Sequence, residues 1–125
     1  MSQLGLVKNY TAEGVIAKNR IVKFGAADKQ IAQASAATDN FAGVTGVNGA
    51  DGAGDRVDIY KTDIQDIEFG GTVAAGDPLT ADADGKAIKA APTAGSNVRC
   101  IGTAEVSAVS GDIAPAHISP FIMQG

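Results

Sequence analysis

Residues 70–106 read Gly-Gly-Thr-Val-Ala-Ala-Gly-Asp-Pro-Leu-Thr-Ala-Asp-Ala-Asp-Gly-Lys-Ala-Ile-Lys-Ala-Ala-Pro-Thr-Ala-Gly-Ser-Asn-Val-Arg-Cys-Ile-Gly-Thr-Ala-Glu-Val. Val73 and Leu79 lie in short apolar runs separated by Gly76-Asp77-Pro78. That triplet reads as a turn: proline fixes φ, glycine tolerates positive φ, and aspartate bonds its own backbone. Asp84-Gly85 reads as a type I′ hairpin, with Ala83 and Lys86-Ala87-Ile88 as its arms. The segment is therefore strand, turn, strand, hairpin, strand, loop, strand. It predicts an all-β chain.

The same order of blocks occurs earlier. Gly14 to Val22 echoes Gly71 to Thr80, and Ala27 to Ile31 echoes Asp84 to Ile88. Phe41 to Val47 echoes Cys100 to Val106, and Gly54 to Ile59 echoes Gly111 to Ile118. These matches predict a degenerate tandem repeat over about residues 14–64 and 71–122. Two copies are too few for a solenoid, so the expectation is one domain with internal pseudo-symmetry. Residues 1–10 are set apart as an N-terminal arm, and 11–125 form the single β domain, a small β-barrel or β-sandwich-like fold.

The chain has 125 residues, enough for one domain with a real core. Its core must be built from Ala, Val, Ile and Gly, because Trp is absent and aromatics are only 5%. Each small side chain contributes little at about 25 cal/mol per Å² buried, so self-association is expected to add stability. Net charge is −4 with no Lys/Arg cluster, which argues against nucleic-acid binding. No apolar run approaches the roughly 20 residues that span a bilayer, so no membrane role is expected. The start, Met1-Ser2-Gln3-Leu4-Gly5, lacks the pattern of a signal peptide. One cysteine precludes an internal disulfide.

In chain order, Leu4, Leu6, Val7 and Tyr10 are the candidate binding residues of the arm, which could add as a strand to a partner's sheet edge. Val15-Ile16 and Ile21 to Phe24 read as strands around an Asn19-Arg20 turn, and Gln30 to Ala34 as another. The run Ile31 to Ala37 is also compatible with helix, since alanine is the best helix former. Asn48 to Asp55 is a glycine-rich loop in which Asp51 and Asp55 invite a calcium test. It lacks the further acids of an EF-hand and the Lys-Ser/Thr end of a P-loop, so a surface turn is the expectation. Arg56 to Phe69 is the longest β-prone stretch, with Ile64 out of phase and a bend or bulge expected near Thr62-Asp63. Its acids Asp58, Asp63, Asp66 and Glu68 read as a solvated strand face. The last strand, Ala114 to Ile122, carries Pro115 and Pro120 and is expected at an edge or interrupted.

No catalytic, cofactor or metal constellation emerges. His117 is the single histidine and has no nucleophile or co-ligand beside it in the sequence. Cys100 sits in an apolar strand where cysteine acts as a small hydrophobe. Lys86, after Asp84-Gly85, is the nearest approach to the tip lysine of a biotinyl or lipoyl carrier, which keeps a small carrier or ligand-binding domain as the alternative.

Taken together, several motifs resemble the capsid cement, or head decoration, proteins of tailed bacteriophages. They are Lys8-Asn9-Tyr10 with Glu13-Gly14, Gly54 to Tyr60, Ile67-Glu68-Phe69, Val73 to Leu79, Gly85 to Ile88, Ile101 to Ala104 and Gly111-Asp112. The chain departs from the family pattern between Thr62 and Gln65, where a glycine turn is expected and Asp63-Ile64 stands instead. The resemblance implies a non-enzymatic virion protein, made in the host cytoplasm and bound to the capsid exterior. It implies the phage major capsid protein as partner, self-association often as a trimer, and no cofactor.

Overall fold

The computed structural model describes residues 6–125. Ten strands carry the fold: β1 (Val7–Ala12), β2 (Ile21–Phe24), β3 (Gln30–Gln33), β4 (Phe41–Thr45), β5 (Arg56–Tyr60), β6 (Asp63–Glu68), β7 (Pro78–Ala81), β8 (Ala87–Lys89), β9 (Asn97–Ala104) and β10 (Ile113–Gln124). There is no helix among the described residues, so the helical option for Ile31 to Ala37 is not taken. Past β3 the Asp39 carboxylate accepts the Ser35 and Ala36 amides at 2.9 and 3.1 Å, which fixes that segment as a loop.

β1 to β5 close into a barrel in the order β1-β3-β2-β4-β5, and the other five strands form a sheet in the order β6-β10-β9-β7-β8. Read around the barrel from β3, the order is β3-β2-β4-β5-β1, and the sheet repeats it as β8-β7-β9-β10-β6. The small contacts repeat too. Ile16 and Ala50 exchange both backbone bonds, as do Val73 and Ala108. The Asp55 carboxylate accepts the Asp51 amide at 2.9 Å, and Asp112 accepts Val109 at 3.0 Å in the matching turn. The pseudo-repeat thus has a structural counterpart. It takes in β1 and β6, which precede the sequence blocks. The units differ in closure: β1 and β3 pair in parallel, whereas the second unit has one parallel bridge, Phe69↔Ala87, at that place.

Strand alternation sorts the apolar side chains into two cores. Tyr10, Ala12, Ile16, Val22, Ile31, Ala42, Ala50, Val57 and Ile59 fill the barrel. Ile21, Ala34, Phe41 and Val44 face the other way and join the second sheet's Ile67, Phe69, Leu79, Ile101 and Ile118. β4 therefore supplies both cores, and all five of its residues are buried. Gly43 and Gly102 hold equivalent places in β4 and β9. A Cβ on Gly102 would sit 1.8 Å from the His117 carbonyl oxygen, and one on Gly43 would sit 2.5 Å from that of Tyr60.

The two units are locked at a seam. The β7–β8 turn docks on β2, where the Ile21 amide donates to the Gly85 carbonyl at 2.9 Å. Arg20 Nη1 meets Glu68 Oε1 at 2.7 Å, and Lys86 Nζ meets Glu68 Oε2 at 3.2 Å. Arg20 Nε also donates to the Asp84 carbonyl at 3.1 Å. Burial pushes the Glu68 carboxyl up, but the Lys86 and Arg20 bonds outweigh it and hold it below its ordinary value.

Local expectations are corrected at several turns. The Asp84-Gly85 turn is not type I′: Gly85 has φ 74°, while Asp84 is absent from the positive-φ residues. The strands end at Ala81↔Ala87, and Asp82 organises a longer loop by accepting the Asp84 and Lys86 amides at 2.8 and 2.9 Å. The stretch from Arg56 to Phe69 has the expected break near Thr62-Asp63, as a bend between two strands rather than a bulge within one. It leaves the barrel after Tyr60 and enters the second sheet at Asp63. Asp63 has φ 65°, so it takes the left-handed conformation a glycine would take. β10 is not an edge strand, since β6 and β9 flank it. It is interrupted, with a register shift between Ile118 and Phe121 that spans Pro120. Pro115 pairs with Asp66 of β6, while its carbonyl faces the β9 side and accepts the Glu105 amide at 3.2 Å. Its missing N–H therefore falls past the end of β9. Residues 7–10, read from sequence as part of an arm, run along β5 from Val7↔Tyr60 to Tyr10↔Val57 as β1.

Candidate interaction surface

One end of the barrel gathers the start of β1, the end of β2, the turn into β3, the start of β4 and the end of β5. Lys8 and Tyr10 share a face of β1 because strand side chains alternate. Tyr10 is 5% exposed and its ring meets Phe24 edge-on, with centroids 6.4 Å apart. The Lys61 ammonium caps the pair, 5.2 Å from the Tyr10 centroid and 5.0 Å from that of Phe24. It donates to Tyr10 Oη at 3.0 Å and to the Ala42 carbonyl at 2.8 Å. Lys8 Nζ lies 5.7 Å from the Tyr10 centroid. Cation–π contacts of this length favour the charged amines over the rings.

Beside this end is a cleft of about 510 Å³ lined by Lys8, Tyr10, Phe24 and the 25–29 turn. It exists because the parallel ladder between β1 and β3 is two pairs long, Thr11↔Gln30 and Ala12↔Ile31. Above that ladder, β1 continues with β5 on one side and, among the described residues, no strand on the other.

Of the expected arm residues, Leu6 and Val7 are exposed, Tyr10 is buried in the barrel end, and Leu4 lies outside the described residues. Leu6 is held at the β5–β6 crossing: its amide donates to Thr62 Oγ1 at 2.7 Å and its carbonyl accepts the Lys61 amide at 2.8 Å. Phe24 and Lys61 are not among the residues that the sequence singles out. Their signal was positional, each standing at the end of a strand beside polar turn residues. A second apolar surface lies on the β9–β10 ribbon, where Phe121 and Ile122 are exposed beside Phe41, Arg99 and Cys100.

The remaining candidates are dispersed. Cys100 is fully buried and burial pushes its thiol up, which disfavours the reactive thiolate. His117 is exposed on β10, opposite Thr103 and Ile64. Lys86 is tied to Glu68 at the seam, so it is not the free tip lysine that a carrier domain requires. The Asp55 carboxylate accepts the Asp51 amide.

This arrangement is that of a small all-β protein of two like units, with polar–aromatic and apolar surfaces at its ends. Residues 2–116 match the family described as phage cement protein, and the chain belongs to that family. It is accordingly a structural protein of a phage particle. The fold is similar to the crystal structure of the N base of head fiber gp8.5 in bacteriophage phi29, with a TM-score of 0.68 and 23% identity over 91% of this chain and 93% of that one. No curated protein matches the chain.

Proposed function

We propose that this protein binds the outer surface of an assembled phage capsid and ties neighbouring major capsid proteins together. The observation that carries this reading is the cement-family match over residues 2–116. The work is adhesion, without turnover, and no nucleic acid, membrane or cofactor takes part. A clamp that touches several subunits gains from multivalency, because each further contact forms at high effective concentration. Self-association, as a trimer, would multiply those contacts again. Exposed Leu6 and Val7, with Leu4 ahead of them, are the proposed capsid contacts, placed where β1 enters the barrel. The acidic balance of −4 suits a surface that has to stay clear of packaged DNA.

Co-sedimentation tests this directly. Purified protein is mixed with expanded capsids that lack it, and the pelleted fraction is titrated. Saturation at a fixed ratio to the major capsid protein is expected. Absence of pelleting above the particle-free control overturns the reading.

A further inference from the structure

We infer that the free edge of β1 at the barrel end is a docking site for an extended acidic segment of a partner protein, added as a strand beside Val7–Asn9. Four observations converge on it. The first is the backbone. The Thr11 amide donates to the Lys29 carbonyl at 2.8 Å, so odd-numbered β1 residues turn their backbone groups toward β3. By the same alternation Val7 and Asn9 face that side, where β3 has not yet begun. An open strand edge is a template for strand addition.

The second is charge. Lys8, Lys29 and Lys61 surround the edge and the cleft, against the Asp28 carboxylate in the lining and those of Glu13 and Asp58, which accept from the Ala26 amide and the Asn9 side chain. Among the described residues the ion pairs are Arg20–Glu68, Lys86–Glu68 and Lys23–Asp39, so these three amines have no carboxylate partner. Local positive charge on a chain of net −4 is a polarity that an acidic partner segment complements. The third is the floor. Phe24 is 49% exposed and rests edge-on against Tyr10, which offers an apolar seat for an aliphatic residue of the segment. The fourth is room, since the cleft of about 510 Å³ holds several side chains. A nucleic acid fits less well: three lysines around a pocket do not track a phosphate backbone, and the overall charge repels a polyanion. The inference goes beyond the capsid reading, because it names the chemistry of the bound segment and needs no particle to test.

The test is an amide NMR titration of the full chain with the acetylated, amidated peptide Asp-Glu-Leu-Asp-Glu at low salt. Shifts confined to Val7–Tyr10 and residues 25–29 are expected, with slowed exchange of the Val7 and Asn9 amides. The double variant Lys8→Gln/Lys29→Gln, altered at two exposed side chains, should weaken binding about five- to tenfold at unchanged thermal stability. The matched peptide Lys-Gln-Leu-Lys-Gln should leave these amides unmoved. The inference is overturned by shifts elsewhere or none, or by equal binding of the basic peptide. A tighter response to an oligothymidylate, or shifts at these residues that grow with protein concentration alone, would assign the edge to nucleic acid or to a second copy and overturn it too. A negative result here leaves the sedimentation outcome standing, and the reverse also holds.

Discussion

Replacing Glu68 removes the one carboxylate that, among the described residues, forms an ion pair between the two units. It takes charge-assisted bonds from Arg20 at 2.7 Å and from Lys86 at 3.2 Å. The side chains of Glu68, Arg20 and Lys86 are 20%, 14% and 27% exposed, between a surface pair and a buried one. An exposed pair is worth about 0.2–1 kcal/mol and a hydrogen bond to a charged group about 1.5–3 kcal/mol. For two bonds at this exposure, Glu68→Gln should cost about 2–3 kcal/mol, also because two cations then face each other across the seam. In a chain of this size that is a fall of about 8–12 °C in Tm, at roughly 4 °C per kcal/mol. The sign with pH follows from the lowered carboxyl. A group depressed in the folded state contributes stability above its ordinary value of 4.5 and loses it as pH falls through the folded value. Urea unfolding of both proteins between pH 7 and pH 3 reads this out. The gap between them should be full at pH 7 and close at the acid end. A gap below about 0.5 kcal/mol at pH 7, or one unchanged at pH 3, would refute the seam as described.

Other perturbations follow from the same structure. Asp63→Gly should raise stability by up to about 1 kcal/mol in thermal unfolding, because glycine adopts φ 65° without a Cβ penalty, whereas Asp63→Val should lower it. Gly102→Ala should be poorly tolerated, since its Cβ would press on the His117 carbonyl and part β9 from β10; circular dichroism melts and soluble yield check this. Ile59→Ala, at 0% exposure inside the barrel, should cost about 2–5 kcal/mol in urea unfolding. Native Cys100 should resist a thiol-reactive chromophore and react promptly in denaturant.

Strand content, the tandem repeat and most turns were legible because they rest on local signals: period-2 alternation, glycine and proline placement, and Gly-Asp pairs before strands. The break at Thr62-Asp63 was visible as a change of phase at Ile64. That it is a passage between sheets was not, because aspartate gives a weaker sign of positive φ than glycine. The Asp84-Gly85 turn misled for a related reason: Asp82, two residues upstream, captures the turn amides and sets a longer loop. The barrel-end site was the least legible part. Lys8, Phe24 with Lys29, and Lys61 come from three separate places in the chain, and only barrel closure brings them together. Tyr10, a candidate binding residue of the arm by sequence, is largely buried because β1 is paired along β5 at that point, a long-range pairing with no local signal.

The central claim is that this protein reinforces the particle to which it binds, and heat release of packaged DNA measures that most directly. Filled capsids lacking the protein are heated with a DNA-binding dye, alone and after saturation with purified protein. The account predicts release at a higher temperature in the saturated sample, in step with occupancy. Full occupancy with an unchanged release temperature would contradict it.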